Sequence, residues 1–415
     1  MKVIFSTGHG RLHIVQSAVS VKKAGCNVVL ITGWVPGKHI SEKWINRFGR
    51  FLGRSNLASG LKKRSPKELS PDEIRTCGSS EFVVQILFKL SAYRFFKRAV
   101  GAVLGWRLFG WQSKKYISNA EIFHVRSGAG RGGAIKKARQ KGMKIVVDHS
   151  ISHPKEMEKQ LLKSAGKGGI KHNHYLGTWP SDKFWRSIVR DCEEADVLVV
   201  NSEYVKWSFV IEGYEADKIK VVPLGVSTEF GSGKLSYQTT NVIKLVFTGA
   251  FGSRKGASII IEALEILEKK GVKYSFEVIG SVMGDIVIPD WVNESDSIKF
   301  YGHLPQSEMI PLLTQSDIYI FPTYSEGSAQ SVKEAMALGL PVITTQQCGS
   351  PITHLKTGML ISDGDASQLA EAILQLREDK GLRESIGKQA ALLIKGEHTW
   401  ENYGEKMVEI YKNLL

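Results

Sequence analysis

The stretch that most constrains how this chain can fold is 317–345, where two apolar runs flank a glycine-containing loop. The first run predicts a short buried strand, and the loop 325–328 follows it. The Ala-rich pattern over 329–338 predicts a helix that ends at Gly339, a residue suited to the left-handed turn after a helix. The second run, 342–344, predicts another strand. Strand, loop, helix and strand in this order form the βαβ unit of a parallel sheet, so we predict an α/β fold.

This unit carries two glutamates at positions that suit a ligand. Glu326 follows the first strand, and Glu334 lies eight positions later on the helix. The start of the predicted helix offers unpaired amide N–H groups and the positive end of the helix dipole, which favour a phosphate. The residues at this junction are Ser328, Ala329, Gln330 and Ser331. A simpler alternative is that one glutamate belongs to a surface loop and the other to a solvated helix face.

Neighbouring residues make the pattern more specific. Glu326 is followed by Gly327, and Glu334 opens the sequence EAMA, which Gly339 and Pro341 follow. This pattern resembles the signature of the retaining glycosyltransferases of family 4, which are group 1 glycosyltransferases. The resemblance implies the GT-B architecture, in which two Rossmann-like domains face a cleft.

The resemblance also implies an activity. A sugar would be transferred from a nucleotide diphosphate sugar, with a UDP-sugar favoured, to an acceptor hydroxyl with retention at the anomeric carbon. Such a hexosyltransferase would act in the synthesis of a cell-surface polysaccharide or a glycolipid. Two other classes stay open: a nucleotide-sugar epimerase of related two-domain fold, and a non-catalytic protein that binds nucleotide sugars. The epimerase would need acid and base side chains around the sugar and has no need of the two glutamates.

The resemblance assigns roles to three residues of the second half. Glu326 would be catalytic, because it would hold the hydroxyls of the donor sugar and orient its ring. Glu334 would accept hydrogen bonds from the ribose hydroxyls of the donor. Leu304 would lie where the backbone meets the nucleobase.

A glycine-rich loop is predicted to bind the diphosphate of the donor. It begins at Gly249, after a predicted strand, and leads through Arg254 and Lys255 into a helix. Two cations beside a helix N-terminus suit a diphosphate, although an exposed basic turn would have the same sequence. In the family an arginine stands where this chain has Ala250, and we expect Arg254 to replace it.

The first strand of the chain leads into a second glycine-containing loop, with Gly8 and Gly10. A dinucleotide-binding site of the dehydrogenase type would need a third glycine and an acidic residue after the next strand, and both are missing. By resemblance, the loop faces the cleft, and Gly8 and Gly10 are donor-binding residues. Arg11 and His13 depart from the glycine–acid pattern of the family.

A histidine at the end of another predicted strand, 144–147, is a candidate catalytic residue. Similar enzymes carry a histidine there that faces the donor sugar across the cleft. His149 matches this position by register, and His153 is the alternative. A purely structural role for His149 is also open.

Length and charge divide the chain into two halves. The 415 residues are too many for one core, and the net charge is +15. Residues 1–225 contribute +21 and residues 226–415 contribute −6. We predict an acceptor-side Rossmann-like domain at 1–225, a nucleotide-sugar-binding Rossmann-like domain at 226–398, and a helix at 399–415 that returns to the first domain.

The basic first half suggests an anionic partner. Segments 43–64 and 82–115 mix aromatic residues with Lys and Arg, a pattern typical of helices that lie on anionic membranes. Alternatively, these helices pack on the sheet with their cations in water. No nucleic-acid-binding motif accompanies the charge, so we expect no nucleic acid partner. The predicted acceptor is lipid-linked or a polysaccharide.

Several features of the sequence bear on the location and cofactors of the protein. No stretch of about 18 apolar residues predicts a membrane span, and the start of the chain does not resemble a signal peptide. The four cysteines lack metal-binding spacing and are expected to be reduced thiols. We therefore expect a cytoplasmic protein at the inner face of the membrane. No Asp-x-Asp pair is present at the diphosphate loop, so no metal and no cofactor are expected. The polar, basic segment 155–183 is predicted to be a loop.

Overall fold

The computed structural model describes residues 1–9, 13–38, 40–51, 57–62, 64–92, 98–166, 183–231, 233–234 and 236–415. Two parallel β-sheets organise these residues, one in each half of the chain. Because every strand pairing is parallel, the carboxyl ends of the strands meet at one edge of each sheet. That edge is where open α/β sheets bind their ligands.

The first sheet has seven strands in the order β3-β2-β1-β4-β5-β6-β7. They are mostly runs of buried apolar residues, as expected for strands covered on both faces. Their bounds are β1 Lys2–Ser6, β2 Asn27–Thr32, β3 Ile74–Thr76, β4 Ile122–Arg126, β5 Lys144–His149, β6 Val197–Val200 and β7 Ile219–Val221.

Nine helices among the described residues cover this sheet or extend from it. Their bounds are α1 Ile14–Lys23, α2 Glu42–Phe51, α3 Leu57–Lys62, α4 Gly78–Ala92, α5 Arg98–Ser113, α6 Ala134–Gln140, α7 Pro154–Gly166, α8 Lys183–Glu193 and α9 Glu203–Val210. The prediction of a loop from residue 155 is wrong over α7. Met157 and Leu161, one helical turn apart, are buried against Trp106 and Trp185, and this apolar face stabilises a helix.

The second sheet has six strands in the order β10-β9-β8-β11-β12-β13. The strands are β8 Ile243–Thr248, β9 Tyr274–Ile279, β10 Ile298–Gly302, β11 Ile318–Phe321, β12 Val342–Thr345 and β13 Met359–Ile361. Its helices are α10 Ala257–Lys269, α11 Asp290–Glu294, α12 Gln306–Gln315, α13 Gln330–Ala337, α14 Ala366–Glu378 and α15 Lys380–Glu397. The βαβ unit predicted from the sequence is β11–α13–β12.

The chain crosses between the two sheets after Val221 and enters the second at Ile243, so the predicted boundary at 225/226 lies in this crossover. The crossover is not a free linker, because Tyr237 is buried and donates a hydrogen bond to the carbonyl of Gly339 at 2.9 Å. The last helix, α16 Trp400–Leu414, packs beside α1 in the core of the first domain.

Two further findings concern membrane-spanning segments and cysteines. Within the described ranges, none of the helices combines the length and the apolar character that a membrane span requires. All four cysteines are buried and free.

Candidate active site

Glu326 lies in the loop after β11, where two cations meet its carboxylate. Arg254 Nη1 donates to Glu326 Oε1 at 2.6 Å, and Lys255 Nζ lies 3.7 Å from the same oxygen. Both cations belong to the loop after β8, and β8 is the neighbour of β11 in the sheet. The shared edge of two adjacent parallel strands therefore brings Glu326 together with Arg254 and Lys255, which lie about 70 positions earlier in the chain.

Lys255 is held in a confined position. Burial lowers the pKa of its ammonium, while the charge of Glu326 acts in the opposite direction. Its Nζ lies 5.0 Å from the centre of the Phe321 ring. A Cβ at Gly249 would lie 2.7 Å from this Nζ, and Gly249 has a φ of +126°, so only glycine fits at the start of the loop. The buried cation is thus close to the backbone of the loop predicted to bind a diphosphate.

Arg254 is engaged differently from the prediction. Its Nη1 also donates to the carbonyl of Ser325 at 2.6 Å, so the guanidinium bridges the backbone and side chain of the Glu326 loop. The sequence predicted that Arg254 binds the diphosphate. It would replace the arginine that the family has where this chain has Ala250. In the structure its partner is Glu326, and it would have to share its donors with a phosphate.

The junction before α13 needs a correction. The amide N–H of Ala329 donates to the carbonyl of Cys348 at 3.1 Å, and Gln330 Nε2 donates to the carbonyl of Gly225 at 3.0 Å. The hydroxyl of Tyr319 contacts Ser331 Oγ at 3.0 Å. The Ala329 amide and the Gln330 side chain are therefore committed within the protein. Only Ser328 and the amides of the first helical turn keep the predicted role of anion binding.

Glu334 occupies a half-buried position on α13. Burial raises the pKa of its carboxyl to about 7, and the neighbouring Lys333 acts in the opposite direction. Among the described residues, none donates a hydrogen bond to this carboxylate. The carboxylate oxygens are thus available to a ligand. Hydroxyl groups of that ligand would donate hydrogen bonds in place of the water that the carboxylate loses on burial.

Lys333 is a residue that the sequence analysis missed. Its side chain is completely buried, its Nζ donates to the carbonyl of Leu224 at 2.8 Å, and burial lowers its pKa to about 7. Together with Gln330, it fixes α13 to the crossover at 224–225. The only available signal was a lysine within the apolar pattern of the helix, and that signal does not identify a carbonyl more than 100 positions away.

His149 ends β5 and is almost fully buried. Its Nδ1 lies 2.9 Å from Ser127 Oγ, its ring packs edge-on against Phe209, and its Nε2 lacks a hydrogen-bond partner among the described residues. Burial lowers its pKa to about 3, and the charge of His153 adds to this effect. The alternative, His153, packs against Phe209 and Tyr214, and burial lowers its pKa to about 4. Both imidazoles are therefore neutral near pH 7.

The two domains meet beside His149. Ser202 Oγ donates to the carbonyl of Gly327, and Asn201 Nδ2 donates to the carbonyl of Ser150 at 3.2 Å. Ser152 Oγ lies 3.0 Å from Ser325 Oγ. The carboxyl ends of β5 and β6 therefore contact the Glu326 loop directly.

The remaining predicted residues lie at the edges of the two sheets. Gly8 follows β1 with a φ of +70°, and Gly10 lies outside the described residues. Leu304 follows β10 and packs, half-buried, against the core of the second domain. In the described part of the chain, no three His, Cys, Asp or Glu side chains are grouped as a metal site would require.

The raised pKa of Glu334 predicts a pH dependence of donor binding. In its predicted role the ionised carboxylate would accept hydrogen bonds from ribose hydroxyls, and protonation would remove part of this capacity. Because the pKa in the empty site is about 7, we expect the affinity for UDP-glucose to fall as the pH is lowered from 8 to 6. Isothermal titration calorimetry at pH 6, 7 and 8 measures this change.

Glu334→Gln is the control for this prediction, because the amide does not titrate. UDP-glucose is the appropriate ligand, since its diphosphate is esterified at both ends and has no proton that titrates in this range. A wild-type affinity that is constant between pH 6 and 8 would contradict the prediction. The same slope in Glu334→Gln would also contradict it.

The arrangement defines a class of fold. Two Rossmann-like domains, each with ligand loops at the carboxyl edge of a parallel sheet, form the GT-B architecture, and this prediction is confirmed. Sucrose-phosphate synthase from Thermosynechococcus elongatus superposes with a TM-score of 0.65 at 15% identity, covering 100% of this chain and 99% of that one. HepE from Anabaena, in complex with UDP and glucose, gives a TM-score of 0.60 at 14% identity, covering 100% of both chains.

The sequence of the second domain is similar to a known family. Residues 236–392 match the model of the family "Glycosyl transferases group 1". This segment contains Lys255, Glu326 and Glu334. A curated relative, the amylovoran biosynthesis glycosyltransferase AmsK of Erwinia amylovora, is 30% identical over 197 residues, which are 44% of this chain. The match spans about half of that relative, 48% of its length.

Proposed function

We propose that the protein is a retaining glycosyltransferase that moves a hexosyl group from a nucleotide diphosphate sugar to an acceptor hydroxyl. The observation that carries this proposal is the meeting of Glu326, Arg254 and Lys255 at one sheet edge, on a domain of the group 1 family. Glu334 lies on the helix that begins at the same edge. The first domain closes against this edge through Gly327.

Each charged residue has a distinct role in this proposal. Glu334 accepts hydrogen bonds from the ribose hydroxyls, and Lys255 neutralises the diphosphate. Glu326 accepts hydrogen bonds from hydroxyls of the donor sugar, and its two cations keep it ionised and fixed in place. Arg254 shares its donors between Glu326 and the diphosphate, and so connects the sugar site with the phosphate site.

The chemistry requires charge stabilisation more than a protein nucleophile. The bond between the anomeric carbon and the diphosphate oxygen breaks, and the diphosphate leaves with the electron pair. The acceptor oxygen forms its bond to the same face of the oxocarbenium-like sugar, and the proton of its hydroxyl ends on the departing diphosphate or in water. Cations fixed beside the leaving group stabilise the charge that develops there, and they need no reorganisation during the reaction. We assign no covalent intermediate.

A UDP-sugar is the favoured donor, and HepE, a protein of the same architecture, supports this choice through its complex with UDP and glucose. A thermal-shift panel of UDP, GDP, ADP and their sugars tests it. A ligand that binds the folded state alone at 100 times its Kd stabilises it by about 2.7 kcal/mol, so the correct nucleotide should stand out.

Incubation of the stabilising sugar nucleotide with candidate acceptors then separates three outcomes. Free nucleoside diphosphate together with a glycosylated acceptor supports the proposal. An epimerised donor identifies an epimerase. An unchanged donor that nevertheless binds identifies a non-catalytic binding protein.

Activity is expected to survive chelation of divalent metals. Lys255 and Arg254 already place positive charge at the predicted diphosphate site, so the leaving group does not depend on a metal ion for neutralisation. Transfer measured with and without excess EDTA should agree within about twofold. Complete loss of transfer that manganese or magnesium restores would contradict this expectation and reveal a metal site.

We further propose that the first domain binds an anionic membrane surface, where a lipid-linked acceptor is found. On α2, Trp44 and Phe51 are exposed beside the exposed cations Lys43, Arg47 and Arg50. Trp111 of α5 is also 64% exposed. Large apolar side chains between cations are suited to the boundary between lipid headgroups and acyl chains.

Sedimentation with vesicles tests the membrane proposal. Each cation near an anionic surface contributes roughly 1 kcal/mol, so the triple variant Lys43→Glu, Arg47→Glu, Arg50→Glu should sediment at least tenfold more weakly with phosphatidylglycerol vesicles. High salt should weaken wild-type binding because it shortens the Debye length. The cations predicted at Arg94 and Lys97 lie outside the described residues, and nothing is described of the Arg98 side chain.

A matched control reverses three exposed lysines of the second domain, Lys270, Lys380 and Lys395. This control should keep wild-type sedimentation, and both triple variants should keep wild-type affinity for UDP-glucose. If the wild-type protein ignores anionic vesicles at low salt, the membrane proposal fails and the basic domain must have a soluble anionic partner.

A further inference from the structure

A buried carboxylate between two histidines lies at the carboxyl edge of the first sheet. Asp148 Oδ1 lies 2.7 Å from His13 Nε2, and Asp148 Oδ2 lies 3.6 Å from His124 Nε2. Burial opposes the ionisation of Asp148, but the two histidines hold its pKa well below the usual value. His124 Nδ1 in turn lies 2.5 Å from the hydroxyl of Tyr411 on α16. None of these residues has a role in the function proposed so far.

The two histidines differ in how many of their ring nitrogens face a protein group among the described residues. His124 is completely buried, and protein groups face both of its ring nitrogens. His13 uses only Nε2, and no described residue forms a hydrogen bond with its Nδ1. The His13 side chain is 10% exposed, although it lies beside a fully enclosed carboxylate. Because a carboxylate accepts, the proton of a neutral His13 is held on Nε2, and Nδ1 is left as an acceptor.

His13 lies at the edge of the first sheet that contacts the Glu326 loop. His13 precedes α1, in the segment that follows β1, and β1, β4 and β5 are consecutive strands of the sheet. Ser150, two residues after Asp148, contacts Gly327 of the second domain through its carbonyl, which also accepts a hydrogen bond from Asn201. Gly327 is the neighbour of Glu326. The same end of β5 therefore holds His13 and contacts the loop that binds the donor sugar in the proposed function.

We propose that His13 is a catalytic residue that contacts the acceptor, and that Asp148 is the residue that positions it. This inference rests on the proposed function. His13 Nδ1 accepts a hydrogen bond from the attacking hydroxyl and takes its proton as the new bond to the anomeric carbon forms. The bond between the anomeric carbon and the diphosphate breaks in the same step. Asp148 stabilises the imidazolium, which then returns the proton to the departing diphosphate or to water.

Asp148 and His124 have a second role that explains their burial. Through Tyr411, the network anchors α16, which reaches this sheet from the other end of the chain. If the network were purely structural, the rate of transfer to the acceptor would not depend on His13 Nδ1. The two roles can therefore be separated by variants that keep one nitrogen position of His13 and remove the other.

His13→Gln and His13→Asn provide this separation. The Gln amide can reach Asp148 in place of Nε2, but it leaves no acceptor at the position of Nδ1. The Asn amide preserves a polar group near Nδ1 without basicity. We expect both variants to bind UDP-glucose with wild-type affinity and to lose about 10²–10⁴-fold in transfer to octyl β-glucoside, the usual range for general base catalysis. Hydrolysis of UDP-glucose by water should change by less than about threefold.

Chemical rescue and a matched control complete the test. In His13→Ala, added imidazole should restore part of the transfer, an effect that no loss of structure would produce. Tyr411→Phe removes the hydrogen bond to His124 in the same network, and it should lower the melting temperature while keeping wild-type transfer. UDP-glucose and octyl β-glucoside are the first donor and acceptor to test. If the thermal-shift panel and the acceptor assay identify another donor and acceptor, these are used instead.

Two results would overturn the inference: wild-type transfer by His13→Gln, or parallel loss of transfer and hydrolysis in His13→Gln and His13→Asn. A wild-type protein that transfers no sugar to any acceptor contradicts the proposed function itself. That failure is distinguishable, because it appears before any variant is compared.

Discussion

Glu326→Gln is expected to lower kcat by ten- to a hundredfold while the affinity for the nucleotide changes by less than about threefold. The substitution keeps the shape of the side chain and removes the charge that holds Arg254 at 2.6 Å and faces Lys255 at 3.7 Å. A hydrogen bond to a charged group contributes on the order of 1.5–3 kcal/mol, which corresponds to this range of rates. In the proposed function the nucleotide is held elsewhere, by Glu334 and the diphosphate loop.

Steady-state kinetics and a titration with UDP measure the two quantities separately. Glu371→Gln, an exposed glutamate on α14, is the matched control and should behave as the wild type. Lys255→Ala and Glu334→Ala should show the opposite pattern, with weaker donor binding. Full activity of Glu326→Gln would remove Glu326 from the reaction, and an equal loss of UDP affinity would reassign it to nucleotide binding.

Gly327→Ala is expected to reduce kcat more than a hundredfold without unfolding the protein. A Cβ at this position would lie 1.7 Å from the carbonyl oxygen of Ser150 and 3.1 Å from Asn201 Nδ2. The first contact is impossible, and it is made with backbone, so truncating a side chain in the first domain cannot relieve it. The closed arrangement of the two domains therefore excludes any side chain at residue 327. The clash is between domains, so each domain can still fold.

The reason for the large effect is that the reaction needs both walls of the cleft. UDP should still bind, because Lys255, Arg254 and Glu334, which hold it in the proposed function, all belong to the second domain. Small-angle scattering should show a larger radius of gyration for Gly327→Ala than for the wild type in the presence of UDP-glucose. Gly284→Ala is the control, since in the described part of the chain no heavy atom beyond its two sequence neighbours lies within 4 Å of a Cβ at that position. Wild-type turnover by Gly327→Ala would show that the closed contact is not the reactive arrangement.

Helix α13 connects these two predictions. The helix carries Glu334 at the proposed ribose site, and the nearby residues Lys333 and Gln330 hold the crossover between the domains. A displacement of the crossover would therefore move Glu334, and a ligand at Glu334 would stabilise one position of the crossover. Domain closure and donor binding are thus expected to influence each other.

The sequence by itself determined the parts of the protein that depend on neighbouring residues. The apolar runs and the glycine loop over 317–345 defined a βαβ unit, and the spacing of Glu326 and Glu334 placed both carboxylates at its ligand edge. Lys255 followed from the same logic, because parallel strands of one sheet present their carboxyl ends together. The glycine loops after β1 and β8 were recognisable for the same reason.

Only the tertiary structure decided which partner each polar group has. The partner of Arg254 is Glu326, that of Lys333 is the carbonyl of Leu224, and that of His13 is Asp148, 135 positions away. The partner of the Ala329 amide is the carbonyl of Cys348, so this amide is not one of the free donors that the sequence predicted. Local patterns fix where a strand or helix begins and ends. Hydrogen bonds and ion pairs also depend on the directions in which distant side chains point after packing, and the spacing of residues along the chain carries no record of those directions.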